Sequence, residues 1–436
     1  MPTVSFVVIA YNVERFIMRC LESLRLQTFQ DFEVIIVNDA STDDTLLRIN
    51  EFIQSDQRFT CINKTVNEGA HLARRTGALS STGRYVIFVD GDDELSADGV
   101  ELLVPALERE DNDIVRFGRT VIPASADAAD ERFAFDNERM FNGNSMRLQS
   151  KSILRHIFSA IPQRSTWSII DCAFNGDFVR AAFGSMTSIK MGRMQDSYEM
   201  FVLCAQAKRM RVIPDLRVLR YYLGAGVSGR AEEPLERFVY LQNSAKLDKQ
   251  CVESYVKQRN DSDIDDCAQW LCEEYLNIIG NEWVVRLSRP NQINAIPELV
   301  HTWGEESTCS IVLNPLLARG QWVLEQQDVT DPDDEFFVWY KALSEHIPPT
   351  FKDNAVARRW DSCKKLAEDI AKKDADIVAA RLAEERKRKA EAEARIEAQR
   401  LAKSGTFARK LVDGLAPEQS MRRDLVRVLT SHLRHR

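Results

Sequence analysis

The chain has 436 residues, 44% hydrophobic and 28% charged, the proportions of a soluble globular protein with room for two or three domains. A formal net charge of −8 argues against the basic footprint of a general nucleic-acid binder. The 9 cysteines are scattered without a CxxC pair, and the nearest two, Cys267 and Cys272, suit a helix face better than a zinc knuckle. Reduced thiols in a cytosolic protein are therefore expected.

The opening segment, MPTVSFVVIAYN, lacks a basic n-region and reads as a strand rather than a signal peptide. No apolar run approaches the roughly 20 residues that span a bilayer, so any membrane contact is expected to be peripheral. Residues 4–9 form an apolar run rich in β-branched residues, the pattern of a strand buried on both faces. Residues 14–26 carry Phe16, Ile17, Cys20, Leu21 and Leu24 at helical spacing. Strands follow over 34–37, 59–62, 85–89 and 113–117, and helices over 70–79 and 98–107. Ser41 or Thr42 is expected to cap the helix after the second strand, with Asp43 and Asp44 in its first turn.

Strand and helix alternating over short connections imply an α/β fold with a mostly parallel sheet. Such sheets bind ligands outside the carboxyl ends of their strands, where Tyr11, Asn12, Asp39 and Asp90 fall. Residues 120–150 read as an irregular excursion, and 217–223 as a returning strand. The pattern from 231 to 345 is mostly helical. An Ala/Glu/Lys/Arg-rich helix covers 360–404; its Leu366, Ile370, Ile377 and Leu382 fit a heptad poorly. These shifts divide the chain into 1–230, 231–359, 360–404 and a basic tail over 405–436.

Asp90, Asp92 and Asp93 follow the apolar Tyr-Val-Ile-Phe-Val run directly. Carboxylates so crowded repel one another unless a cation neutralises them, and an oxygen-only ligand set suits Mg²⁺ or Mn²⁺. A solvated, helix-capping turn is the competing reading. Asp39 suits a base or ribose hydrogen bond, or an Asx-turn. Tyr11 suits base stacking or simple packing. Arg74, in the first turns of its helix, is placed to face a diphosphate or to lie on the surface. Asp196 is a general base or a helix cap, with Glu199 completing an Asp-x-x-Glu capping box. Trp167 reads as core.

In order and spacing, VSFVVIAYN, QTFQDFEVIIVNDASTDDT, NEGAHLARRTG and GRYVIFVDGDDEL resemble the nucleotide-binding half of the family 2 inverting glycosyltransferases, of GT-A fold. The resemblance covers about residues 3–110 and continues more weakly to about 225, where RMQDSYEMF is similar to the family's Glu-Asp segment. It implies a Rossmann-like sheet flanked by helices, followed here by a helical C-terminal region. It implies that Ala10, Tyr11 and Asp39 hold a nucleobase and ribose, usually uridine. Asp90 and Asp92 would form the DxD pair, with Asp92 nearest a Mg²⁺ or Mn²⁺ ion; Asp93, outside that pair, is read here as structural. Arg74 would lie near the diphosphate, and Asp196 would be the catalytic base. Ala40 stands where the family usually has glycine, Arg75 where asparagine is common, and Gln195 where glutamate precedes the base.

The expected activity is transfer of a sugar from a nucleotide-diphosphate donor, UDP-linked, to a hydroxyl of a glycan or glycolipid acceptor in surface polysaccharide or glycoconjugate assembly. A sugar-nucleotidyltransferase is the enzymatic alternative, disfavoured because Tyr-Asn-Val-Glu-Arg replaces a glycine-rich basic loop after the first strand. A non-catalytic glycosyltransferase-like binding module is the other. The expected location is cytoplasmic. Through its C-terminal third the chain would meet the inner membrane surface or a helical partner; a solvated helix with a disordered end is the competing view.

Overall fold

The computed structural model describes residues 1–224, 231–259 and 261–415, with backbone alone over 406–415. The first strands and helices alternate: β1 (Val4–Ala10), α1 (Ile17–Arg25), β2 (Phe32–Asn38), α2 (Thr45–Ile53), β3 (Phe59–Asn63), α3 (Gly69–Ser80) and β4 (Tyr85–Asp90). Next come β5 (Glu94–Leu95), α4 (Gly99–Glu108), β6 (Ile114–Ile122), α5 (Ala128–Phe141), β7 (Met146–Gln149) and α6 (Lys151–Ile157). β8 (Cys172–Asn175), α7 (Gly176–Ser185), α8 (Gln195–Gln206) and β9 (Arg209–Tyr222) complete the sheet region. The remainder is helical: α9 (Leu235–Lys257), α10 (Ser262–Arg286), α11 (Arg289–Trp303), α12 (Glu305–Glu325), α13 (Glu335–Ser344) and α14 (Asn354–Leu415).

The strands lie in the order β3-β2-β1-β4-β8-β6-β9-β5, with β7 also paired to β9. β1 runs parallel to β2 and β4, and β2 to β3. Beyond β4 the sheet is mixed: β8 is antiparallel to β4 and β6, while β6 and β9 are parallel. Val4, Phe6, Val7 and Val8 are fully buried, which is why this strand reads as an apolar run interrupted only by Ser5. α3 presses against β1 at Gly77, where a Cβ would stand 2.2 Å from Val7 Cγ1. That close approach carries Arg74, one turn earlier, towards the end of β4.

Three expectations are corrected. Residues 120–150 contain the helix α5 and the strand β7 rather than an irregular excursion. The strand expected at 217–223 begins at Arg209. Neither Ser41 nor Thr42 caps α2. Asp43 Oδ1 accepts from Thr45 N at 3.0 Å, while Asn12 Oδ1 accepts from Thr42 N at 2.8 Å. The hydroxyls lace the β1 and β2 loops together instead: Ser41 Oγ accepts from Asn12 N and donates to Asn38 Oδ1.

The chain divides into two compact units. The first, residues 1–316 and 339–360, holds the sheet, with α9 packed against α8, α10 and α11. The second comprises residues 317–338 and 361 onward. In it Leu366 and Phe336 close over Gly320, and Arg319 pairs with Asp334 at 2.6 Å. Leu366 and Ile370 are buried, whereas every side chain from 379 to 405 is exposed. Residues 416–436 of the basic tail lie outside the described residues. No helix among the described residues is long and apolar enough to cross a membrane.

Candidate active site

A cavity of about 670 Å³ opens at the carboxyl ends of β1, β2 and β4. Ala10, Tyr11, Asp39, Arg74, Asp90, Asp92 and Asp196 all line it. Asp93 does not. It is buried, and its Oδ1 accepts from Tyr222 N at 3.0 Å, tying the acidic turn to β9.

Asp39 is 3% exposed. Its Oδ1 accepts from Glu68 N at 3.0 Å and its Oδ2 from Gly69 N at 2.8 Å, at the start of α3. The carboxylate thus satisfies donors that open a helix, and each oxygen keeps a second acceptor position. Tyr11 is 47% exposed, so its ring is not packed away. Ala40 takes φ of 58°, the left-handed region, which explains why glycine would be at ease there.

Arg74 is more constrained than a residue simply facing a diphosphate. Its Nη2 donates to Asp90 Oδ1 at 3.0 Å and its Nη1 to Glu199 Oε2 at 3.1 Å. On the same face of α3, His71 Nδ1 lies 2.9 Å from Glu199 Oε1, and its Nε2 donates to the Thr187 carbonyl. Glu199 is therefore fully buried and occupied by α3. The capping-box reading of Asp196 and Glu199 is corrected: α8 begins at Gln195, its cap position is Met194 with φ of 73°, and Asp196 lies inside the first turn. Burial pushes the Asp196 carboxyl up to about 7, against the opposing charge of Arg74, with Glu199 and Asp90 adding to the rise. A carboxylate in that range is matched to accepting a proton near neutrality.

Asp92 is pushed up to about 6, first by burial and then by the charge of Asp90. Among the described residues no three His, Cys, Asp or Glu side chains gather as a metal cage. Of the acidic turn, Asp90 and Asp92 line the cavity. That donor set fits Mg²⁺ or Mn²⁺, which binds through one or two carboxylates and takes its other oxygens from substrate and water.

Several lining residues escaped the sequence reading. Trp167, expected in the core, is half-buried in the cavity wall and stacks on Phe158 at 6.2 Å. Arg119 of β6, Tyr240 of α9, and Ile278 and Glu282 of α10 line it as well. Nothing in their local pattern marks them, because each arrives through long-range packing. Arg75 is not among the lining residues; its Nε donates to the Phe183 carbonyl at 3.1 Å, joining α3 to α7.

Residues 5–166 match the family model described as Glycosyl transferase family 2. Over this segment the chain is similar to glycosyltransferase family 2. An uncharacterized glycosyltransferase of Bacillus subtilis, EpsJ, is 37% identical over 135 residues, 29% of this chain and 39% of that protein. Chondroitin synthase of Escherichia coli is 38% identical over 109 residues, 25% of this chain and 16% of that protein. The chain thus spans well under two thirds of these family 2 relatives. A crystal structure of S. aureus TarS 1–349 in complex with UDP-GlcNAc is similar with a TM-score of 0.50 and 17% identity. It covers 80% of this chain and 94% of TarS 1–349, a likeness of fold. The family 2 segment supplies β1 to β4 and the acidic turn, while α8 and the helices beyond it lie outside it.

Proposed function

We propose that the chain is an inverting glycosyltransferase that moves a sugar from a UDP-linked donor to a hydroxyl of a glycan or glycolipid acceptor. The convergence of Ala10, Tyr11, Asp39, Arg74, Asp90, Asp92 and Asp196 on one cavity carries this reading. The UDP-GlcNAc held by TarS supports the donor class, and the kinship with chondroitin synthase supports a place in polysaccharide or glycoconjugate assembly.

Tyr11 and Asp39 bind the nucleoside, the first by stacking and the second through its free acceptor positions. Asp196 removes the proton of the acceptor hydroxyl. That oxygen bonds to the anomeric carbon from the face opposite the diphosphate, whose oxygen leaves with the bonding electron pair, so the configuration inverts. Arg74 holds Asp90 in place and sets positive charge beside the leaving group. Asp92, with Asp90, would hold a Mg²⁺ or Mn²⁺ ion, which when bound neutralises charge developing on the leaving diphosphate.

The experiment is a panel of nucleotide sugars assayed for hydrolysis and thermal stabilisation, with and without Mg²⁺ or Mn²⁺. Metal-dependent turnover of a UDP-sugar is expected, and Asp92→Ala abolishes both turnover and the metal-dependent stabilisation by UDP. Full activity in Asp92→Ala, or no turnover of any donor by the unsubstituted protein, refutes the reading.

A further inference from the structure

β6 carries two arginines, Arg116 and Arg119, three positions apart. On a regular strand such positions face opposite sides. β6 is not regular here: its register against β9 shifts on both sides of Gly118. Gly118 lies so close to Pro214 that a Cβ would stand 1.9 Å from the Pro214 carbonyl oxygen. A bulge of this kind re-aims a side chain. Both guanidinium groups now meet one carboxylate, with Asp171 Oδ2 3.0 Å from Arg116 Nη1 and 2.6 Å from Arg119 Nη2. All three side chains are 1% exposed.

Their other partners are neutral. Arg116 donates to the carbonyls of Thr166 and Ser168, and Arg119 to Ser168 Oγ. Among the described residues no second carboxylate comes within ion-pair distance of either guanidinium. Within ion-pair distance two cations thus share one anion in the interior, with the buried Asp93 carboxyl acting on Arg119 only from farther off; such an arrangement is costly unless a further negative charge arrives. Of the pair, Arg119 lines the same cavity as Asp92 and Asp196, beside Thr166 and Ser168. The Phe141 ring, 3.8 Å from its guanidinium carbon, fixes its plane.

We propose that Arg119, with Thr166 and Ser168, forms an anion subsite that takes a phosphate or carboxylate of the substrate. This rests on the transferase reading. The anion has two sources: the diphosphate of the donor, or an acid group on the acceptor. The guanidinium fork and the two hydroxyls match the planar or tetrahedral oxygens of either.

The test is titration calorimetry with uridine, UDP, glucose and glucuronate on the unsubstituted protein, R119Q and R119K. R119Q leaves Arg116 and Asp171 as a balanced pair, so the fold is expected to persist, and unchanged uridine binding reports that it has. A rise of about tenfold in the UDP dissociation constant, partly restored in R119K, assigns the subsite to the donor. Unchanged UDP binding, with loss of a preference for glucuronate over glucose, assigns it to the acceptor. If R119Q binds UDP and glucuronate as the unsubstituted protein does, or loses uridine to the same degree as UDP, the subsite is refuted. Failure of the unsubstituted protein to bind UDP instead refutes the transferase reading beneath it.

Discussion

Asp196→Asn separates the cost of a raised carboxyl from its proposed use as a base. In the folded protein the carboxyl titrates at about 7 instead of its ordinary 3.8, chiefly because of burial. Below pH 4 both folded and unfolded chains hold the proton, and the shift has no effect on stability. Between 4 and 7 the unfolded chain ionises first, so stability falls as pH rises. Above 7 the penalty is complete. A rise of roughly 3 units at about 1.4 kcal/mol each gives a ceiling of about 4 kcal/mol. Asp196 is only half-buried, so solvent screening reduces this to about 2 kcal/mol. Denaturant unfolding of both proteins at pH 4 and pH 8 measures it: Asp196→Asn should be equal in stability at the lower pH and more stable at the higher. Transfer should be lost in the variant, while in the unsubstituted protein it climbs with pH through an apparent pKa above the ordinary carboxylate range. A gain of the same size at both pH values, or undiminished transfer by the asparagine variant, would refute the reasoning.

The left-handed Ala40 makes Ala40→Gly a stabilising change of about 1 kcal/mol, read from the denaturant midpoint, with UDP binding retained. Glu199→Gln removes the carboxylate that Arg74 and His71 share and should cost about 3 kcal/mol by thermal or chemical unfolding, because it leaves a buried guanidinium short of a partner. Gly118→Ala forces β6 and β9 apart and should destabilise the protein by about 2 kcal/mol or more, with loss of soluble protein as the coarse readout.

The parallel half of the sheet was legible because strands buried on both faces must be apolar throughout, so the polar residues that follow them stand out as strand ends. Asp39, Asp90 and Asp92 fall there. Asp196 needed the family resemblance, since position alone allowed a cap. α5 was not legible because it buries only Ala134 and shows no apolar stripe. The capping expectation for Ser41 and Thr42 failed because Asn12, across the β1 loop, competes for the same groups. Arg119 was beyond reach because a bulge changes which face a residue joins, and Tyr240 and Glu282 because helices far along the chain bring them to the cavity.

The chain of contacts from Asp90 through Arg74 to Glu199 acts as a ruler. It fixes the spacing between the end of β4 and the N-terminal half of α8 in units of side-chain length, through direct contacts rather than through the intervening chain. The two carboxylates and the guanidinium are free to change only together. Effects of substituting Asp90 and Glu199 should accordingly fall short of their sum, and relatives that lengthen one side chain should shorten another.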